Sequence, residues 1–192
     1  MVRWAPGTPE RLQRAALELF AARGYEQTTA TEIAEAVGLT ERTFYRHFTD
    51  KREVLFHGQQ QLADAFVEGA RDAPSGTSPM ELGVCALRSA AAFFPDERRP
   101  DSRLRQSVID ENPALQEREA HKLATLGTAL AGALRARGVD DLAAEVAART
   151  SAMCFAITFL QWIAEGQQRS FDDIATDVLG EVAAVTRPLT RY

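Results

Sequence analysis

The chain has 192 residues, 45% of them hydrophobic, which is enough to bury a sizeable core in one domain or two small ones. The formal net charge is −5, yet residues 1–52 carry eight Lys and Arg against seven Asp and Glu, so the acidic excess lies in residues 53–192. Cys85 and Cys154 are far apart and form no ligand pair, which favours a reducing cytoplasm. We expect no signal peptide and no membrane segment, because the most apolar stretch, 152–164, is shorter than the roughly 18 residues of a membrane span.

The first predicted helix opens with Thr8 as its N-cap and Pro9 in its first turn, and Gly24 ends it. We expect its apolar face to pack against the next two helices and complete a three-helix headpiece. The residues of this face recur at helical spacing: Leu12, Ala15, Ala16, Leu19 and Phe20. Arg3 and Trp4 precede the helix, either as an arm that reaches a minor groove or as a disordered tail.

The following segment predicts two short helices joined by a tight bend. Thr29 and Glu32 have the spacing of a capping box at the start of the first helix. Gly38 supplies the left-handed residue that lets the chain turn. Thr40 then caps the second helix, which we expect over 41–47.

This second helix carries polar groups that suit the bases of DNA. Phe44 and Phe48 lie one turn apart and must point inward, so the opposite face is turned to solvent. Guanidinium, hydroxyl and imidazole groups on that face and its margins can contact base edges in a major groove. The predicted base contacts are Arg42, Thr43, Arg46 and His47.

A second group of residues is placed to hold the DNA backbone. Asp50 is expected to cap a long helix over 51–72, with Glu53 at the capping-box position. Basic side chains and free backbone N–H groups in a first helical turn attract a phosphate. The predicted phosphate contacts are Thr29, Thr31, Tyr45, Lys51 and Arg52. Structural alternatives stay open for some of them: a cap, a cover for the headpiece core, or solvated charges.

The stretch TTATEIAEAVGLTERTFYRHFTDKREVL, residues 28–55, resembles the helix-turn-helix signature of the TetR (tetracycline-repressor) family of bacterial transcription regulators. Residues 8–25 resemble the first helix of that family. The resemblance implies a helix-turn-helix DNA-binding domain over 1–52 and a helical effector-binding and dimerisation domain over 53–192. Arg42 stands where the family often has a small residue, so the DNA sequence that it binds must be determined afresh.

The remaining chain predicts helices separated by short breaks. A loop at 73–78, a break at 95–100 and Gly138 mark three of the boundaries. Helices are expected over 79–94, 101–111, 113–137 and 140–165, with a last one that opens at Ser170. No strand pattern of adequate length is present, so the fold class is all-α with about nine helices.

The helix over 140–165 is apolar nearly all round, and the last helix adds a second apolar stripe. Two such helices that meet their copies would form a four-helix interface around a two-fold axis. A homodimer would also place two recognition helices on a near-palindromic operator, with half-sites about 34–36 Å apart. The resemblance likewise implies dimerisation through the last two helices. The alternative is that the apolar helix is the core of the monomer.

The resemblance further implies a small-molecule effector that favours the state whose spacing misfits DNA. Aromatic and soft side chains of the middle helices are the candidate pocket, although each could be ordinary core. No histidine has a partner at metal-ligand spacing, so we expect no metal and no cofactor. The candidate pocket residues are His57, Phe66, Met80, Phe93, Phe94, His121, Met153, Phe155, Phe159 and Trp162.

The expected function is therefore that of a sequence-specific transcription regulator, a repressor released from a palindromic operator by a small molecule. A helix-turn-helix activator or structural factor without an effector is the alternative. An all-helical enzyme is a remote one. The sequence has no nucleophile elbow, no HExxH and no glycine-rich phosphate loop, so we expect no enzymatic activity.

Overall fold

The computed structural model describes residues 7–186, so the arm expected at Arg3 and Trp4 lies outside the described residues. Over this range the chain forms nine α-helices and two 3₁₀ turns and no strand, which confirms the all-α class. The helices are α1 (Thr8–Arg23), α2 (Ala30–Ala36), α3 (Glu41–His47), α4 (Gln59–Arg71), α5 (Pro79–Ala91), α6 (Arg99–Asp110), α7 (Pro113–Ala136), α8 (Asp141–Trp162) and α9 (Phe171–Val185), and the 3₁₀ turns are Glu53–Phe56 and Asp96–Arg98.

The start of α1 differs from the expectation at one residue. Gly7 is the N-cap, with extended backbone, and its carbonyl oxygen accepts from the Arg11 N–H. The predicted Thr8 cap is therefore wrong, because Thr8 is already helical. The predicted end is confirmed: Gly24 is the C-cap, with φ of +87°.

The predicted continuous helix over 51–72 is wrong. Residues 53–56 form a 3₁₀ turn, Gly58 has φ of +88°, and a new helix begins only at Gln59. The apolar residues of the turn, 54–56, are all buried in one core. Consecutive side chains of a 3₁₀ turn point about 120° apart, so these three side chains face different directions. All three can be buried because the residues that cover them come from more than one element, including α1 and the 101–119 segment.

The chain divides into two compact units. Among the described residues, the first consists of 7–59 together with 101–119, and the second consists of 60–100 together with 120–186. The core of the first unit is formed by α1 to α3, the 54–56 segment and three aliphatic residues of 101–119 (Val108, Ile109 and Leu115). Compactness alone does not test the expected functional domains, 1–52 and 53–192, which stay a prediction.

In the second unit, α5 packs closely against its neighbours because two of its contacts involve glycine. Gly69 of α4 lies against α5 so closely that a Cβ there would be 2.7 Å from the carbonyl oxygen of Cys85. Gly83 of α5 faces Ser151 of α8, whose hydroxyl donates to the Ala147 carbonyl at 2.8 Å. Small residues at these crossings let the helix axes approach and bury the surrounding apolar side chains.

Helix α8 has one face buried in the protein and one face exposed to solvent. Its buried face belongs to the core of the second unit, whereas five large apolar side chains are 40–77% exposed. These five residues form the α8 stripe: Leu142, Val146, Met153, Ile157 and Leu160. Among the described residues α8 is the one helix long and apolar enough to cross a membrane by length and composition. The expectation that this region is too short for a span is therefore wrong on length, although core helices of globular proteins pass the same test.

Candidate nucleic-acid interface

Reciprocal hydrogen bonds fix the first turn of α2. The Thr29 hydroxyl oxygen accepts from the Glu32 N–H at 3.2 Å, and the Glu32 carboxylate accepts from the Thr29 N–H at 2.8 Å. This is the predicted capping box. The hydrogen bond from the Thr29 N–H lowers the pKa of Glu32. Thr31, also expected to contact a phosphate, is half-buried in the same turn.

The bend between α2 and α3 is held from both sides. Gly38 has φ of +71°, the left-handed conformation expected for it. The Arg11 guanidinium of α1 donates to the Val37 carbonyl at 2.7 Å and so ties the bend to the first helix. The Thr40 hydroxyl accepts from the Thr43 N–H at 3.3 Å and caps α3 as predicted. The direction of α3 is therefore fixed by backbone contacts at its start.

Two phenylalanines anchor α3 to the core of the first unit. Phe44 is fully buried and Phe48 is 5% exposed, with ring centroids 5.4 Å apart. Arg42, Arg46 and His47 are exposed on the outer side, and Thr43 is half-buried. The orientation expected for this helix is confirmed. The base contacts themselves are not tested by it and stay predictions.

The outer side of α3 forms an open concavity of about 480 Å³, lined by Arg42, Thr43, Tyr45 and Arg46. Among the described residues, neither guanidinium has an ion-pair partner, so both are available to a ligand. Tyr45 is 52% exposed and rests its ring edge-on against Phe44. Tyr45 thus lines the same concavity as the two arginines.

Lys51 is turned inward to the loop between α1 and α2. Its ammonium donates to the carbonyl oxygens of Tyr25 at 2.8 Å, Thr28 at 3.1 Å and Glu26 at 3.5 Å. It also lies 4.3 Å from the centre of the Tyr25 ring. The expected phosphate contact of Lys51 is not tested by these contacts. A phosphate would have to compete with three carbonyl groups for the same donors.

Arg52 is likewise engaged with neighbouring acids, at 3.4 Å from the Asp50 carboxylate and 3.5 Å from the Glu53 carboxylate. Asp50 accepts from the Glu53 N–H at 3.1 Å, but the helix that it was expected to cap does not form, and the 3₁₀ turn has Arg52 as its N-cap. The expected capping box does not form, because the Glu53 carboxylate binds Arg118. The phosphate contact of Arg52 stays a prediction.

Two arginines of the 101–119 segment form hydrogen bonds with the 3₁₀ turn, and the sequence analysis identified neither of them. Arg118 binds Glu53 in a bidentate pair at 2.8 and 2.9 Å, and Arg105 donates to the Leu55 carbonyl at 2.7 Å. Their guanidinium carbons lie 4.4 and 5.0 Å from the centre of the Phe56 ring. We call these five residues, Glu53, Leu55, Phe56, Arg105 and Arg118, the arginine clamp. No local pattern signals a pair separated by 65 positions.

The candidate pocket residues fall into different environments. His57 lies in the first unit, with its imidazole Nε2 at 3.3 Å from the Glu10 carboxylate and its ring against Phe48. His121 and Met153 are exposed, and Met80 and Phe93 are half-buried. The other five pack ring against ring in the second unit, together with Phe171, which sequence reasoning missed: Phe66, Phe94, Phe155, Phe159 and Trp162.

A buried arginine borders this aromatic cluster and was also missed. The Arg99 guanidinium donates to the Asp96 carboxylate at 2.5 Å and to the carbonyl oxygens of Gln167 and Arg169. It lies 5.1 Å from the centre of the Trp162 ring. Within residues 7–186, no group of three or more His, Cys, Asp or Glu side chains is arranged to hold a metal ion.

Comparison with known proteins agrees with this geometry. Residues 12–57, which contain α1 to α3, match the sequence profile described as bacterial regulatory proteins, tetR family. The chain is 40% identical over 89 residues to the transcriptional regulator TcmR of Streptomyces glaucescens and 34% identical over 88 residues to the transcriptional activator FasR of Mycolicibacterium smegmatis. Each of these matches covers 46% of the chain and 39% of the relative.

A solved structure extends the likeness to nearly the whole chain. It is that of Thermus thermophilus FadR, a TetR-family transcriptional repressor in complex with lauroyl-CoA. The TM-score is 0.55 and the identity 27%, over 96% of this chain and 98% of that one. The profile covers the helix-turn-helix, and the structural likeness covers the helices that follow it. Residues 12–57 thus match the TetR family of bacterial regulatory proteins, and the chain as a whole is similar to a TetR-family repressor.

Proposed function

We propose that the chain is a sequence-specific DNA-binding regulator of transcription that places α3 in the major groove. The observation that carries this proposal is the outer side of α3, where two exposed arginines stand on a short helix held by two buried phenylalanines. A guanidinium can donate to guanine O6 and N7 together, and such a contact requires a rigid support. Arg42, Thr43, Arg46 and His47 are the proposed base contacts.

The DNA backbone would be held beside these bases. Thr29 and Thr31 lie in the first turn of α2, where free N–H groups attract anions, and Tyr45 offers its phenol at the margin of α3. Lys51 and Arg52 remain candidates for the same role, in competition with their present partners. Phosphate contacts fix the register of the protein on the duplex, so they determine which bases α3 meets.

We propose a cytoplasmic homodimer formed through α8 and α9. The α8 stripe supports this, because a row of large exposed apolar side chains on one helix is typical of an interface. A two-fold axis would present two copies of α3 to the half-sites of a near-palindrome. Doubling the contacts matters here, because residues 1–52 have only one more basic than acidic side chain.

The second unit would bind a small-molecule effector that releases the protein from its operator. Among residues 7–186, two buried polar atoms of this unit lack a hydrogen-bond partner, Arg99 Nε and Thr158 Oγ1, and a polar ligand could satisfy them. The likeness to the FadR repressor supports a ligand-released repressor. The alternative is an activator without an effector, in keeping with the activator FasR.

Selection of bound sequences from random DNA tests the proposal. The full chain should enrich a near-palindromic site, and a repeat of the selection with candidate small molecules should identify a release signal. Sedimentation of the protein on the enriched site should give two chains per duplex. Failure to enrich any sequence at low salt would overturn the proposal, and enrichment that no small molecule relieves would favour the activator alternative.

A further inference from the structure

We infer that Arg105 and Arg118 are positioning residues for DNA binding, which hold the segment after the recognition helix in place through the arginine clamp. The inference rests on the proposed DNA-binding function. It assigns part of that function to residues 101–119, which lie outside the 12–57 region that matches the family profile.

The segment that the clamp holds lacks the hydrogen bonds of a regular helix. In a continuous α-helix the Leu55 carbonyl would accept from the N–H four residues later. Here residues 53–56 form a 3₁₀ turn, and Gly58 then leaves the helical conformation. The Arg105 Nε–H donates to the Leu55 carbonyl at 2.7 Å instead. A distant guanidinium thus supplies the hydrogen bond that the local backbone does not.

Arg118 holds the two ends of the same segment. Its guanidinium donates to both oxygens of Glu53 and to the Gln59 amide oxygen at 2.8 Å. Only 14% of the Arg118 side chain and 21% of the Glu53 side chain are exposed, so solvent screens this pair less than a surface pair. Hydrogen bonding from Arg118 lowers the pKa of Glu53, which keeps the carboxylate charged. Bidentate pairs of this kind fix direction as well as distance.

Both guanidinium groups contact the Phe56 ring, with the Arg105 and Arg118 Cζ atoms 5.0 and 4.4 Å from its centre. Three aliphatic side chains of the same downstream segment are buried in the first-unit core: Val108, Ile109 and Leu115. Apolar contact and charge-assisted hydrogen bonds therefore act on the same turn. Residues 101–119 are therefore an integral part of the first unit and contribute to its core.

The 3₁₀ turn is joined to α3 by only a few residues, 48–52, so a shift of the turn would also displace the proposed DNA-binding surface. Glu53 directly follows Arg52 and Lys51, and Lys51 binds the carbonyls of the loop that leads into α2. Phe48, at the other end of this path, caps α3 and is buried in the same core. A clamp that fixes residues 53–56 therefore supports the start of α2 through Lys51 and the end of α3 through Phe48. Neither arginine needs to contact DNA for this effect.

The test uses the full chain and the DNA site that the wild-type protein enriches. Arg118→Met keeps the length of the side chain and removes its hydrogen bonds. We expect the Kd for that site to rise about tenfold, equivalent to roughly 1.4 kcal/mol. The dependence of Kd on salt should keep its slope, because no phosphate contact is removed. Titration at DNA concentrations far above Kd gives the fraction of competent protein, so that partial unfolding is not mistaken for weaker binding.

The charge swap Glu53→Arg with Arg118→Glu should recover most of the lost affinity, whereas each single reversal should lose it. Arg135→Met is the control, because Arg135 is likewise paired with acidic side chains, those of Asp141 and Glu145, but lies in the second unit. Its Kd should stay within twofold of wild type. If Arg118→Met does not fold, Arg105→Met provides the same test.

Three results would overturn the inference. One is a wild-type Kd for Arg118→Met with only a lower thermal midpoint, which would make the clamp purely structural. Another is a salt slope that falls by about one, which would make Arg118 a phosphate contact. The third is a charge swap that recovers nothing. If the wild-type protein enriches no DNA at all, the proposed function itself fails, and that outcome is distinct from these three.

Discussion

The Lys51 ammonium lies 2.8 Å from the Tyr25 carbonyl oxygen and 4.3 Å from the centre of the Tyr25 ring. One side chain thus binds both the backbone and the aromatic face of the same residue, 26 positions earlier. Burial and the nearby Asp50 carboxylate raise the pKa of Tyr25 to about 12, so its phenol stays neutral at physiological pH. This contact joins the loop between α1 and α2 to the segment that follows α3.

Replacing Lys51 by Met should weaken DNA binding, and the salt dependence should stay the same as long as Lys51 keeps its carbonyl partners in the complex. The loop carbonyls would lose their donor, and the start of α2 would lose its support. The measurement is Kd by fluorescence anisotropy over a range of salt concentrations. A slope lower by about one unit would instead establish the phosphate contact expected from the sequence.

Arg42→Ala and Arg46→Ala should each cost about 1–3 kcal/mol of binding free energy and relax the preference at one base position per half-site. Both guanidinium groups are exposed and lack ion-pair partners in the described part of the chain, so their removal should leave the fold intact. Binding to a panel of single-base variants of the enriched site measures the effect. A uniform loss over all sequences would make the residue a phosphate contact.

Ile157→Glu should prevent the proposed dimer from forming, because it would bury a carboxylate in the α8–α9 interface. Ala124→Glu is the matched control, since Ala124 is exposed on α7, outside both interface helices. Analytical ultracentrifugation gives the assembly state of each variant. If Ile157→Glu remains dimeric, the interface lies elsewhere.

Gly69→Ala should destabilise the protein by roughly 1–3 kcal/mol, the usual cost of overpacking. The new methyl group would lie 2.7 Å from the Cys85 carbonyl oxygen and 3.0 Å from the Ala86 Cα, both backbone atoms that cannot rotate away. Gly132→Ala is the control, because no atom lies within 4 Å of the added Cβ, and alanine there should stabilise α7 by up to about 1 kcal/mol. Urea unfolding followed by circular dichroism compares the two.

The stability of the protein should depend on Glu53 in acid. The hydrogen bonds from Arg118 lower the pKa of Glu53 below its ordinary value of 4.5. A carboxyl group whose folded pKa is depressed contributes stability above 4.5 and loses it as the pH falls through the lowered value. Glu53→Gln should therefore be less stable at neutral pH and lose less of its unfolding free energy below pH 4.5.

Glu145→Gln is the control for this pH dependence. Glu145 is also paired with two arginines, but the pair is exposed and screened by solvent. Its replacement should change the acid dependence much less. An equal change in both variants would show that burial of the clamp adds nothing to the pairing.

Much of the headpiece could be predicted from the sequence because its determinants are local. The Thr29–Glu32 box, the left-handed Gly38 and the inward Phe44 each depend on residues within a few positions. The continuous helix over 51–72 was wrong because Gly58 was not recognised as a left-handed residue. A glycine in a helical pattern is ambiguous until the burial of residues 54–56 is known.

The contacts that organise the candidate site over long distances could not be predicted. Arg118 is 65 positions from Glu53, and the three carbonyls that bind Lys51 are more than 20 positions before it. Such pairs follow from tertiary packing, which no periodicity reports. The same applies to Arg99, whose basic side chain would be expected on the surface and is buried beside Trp162.

The α8 stripe ties the proposed activity to how much of the protein a cell makes. If a second copy covers the stripe, mass action makes the amount of paired chains rise with the square of the total while single chains predominate. Occupancy of the regulated site would then respond to synthesis more steeply than in proportion. A modest drop in expression would empty that site sooner than a one-chain binder would leave it.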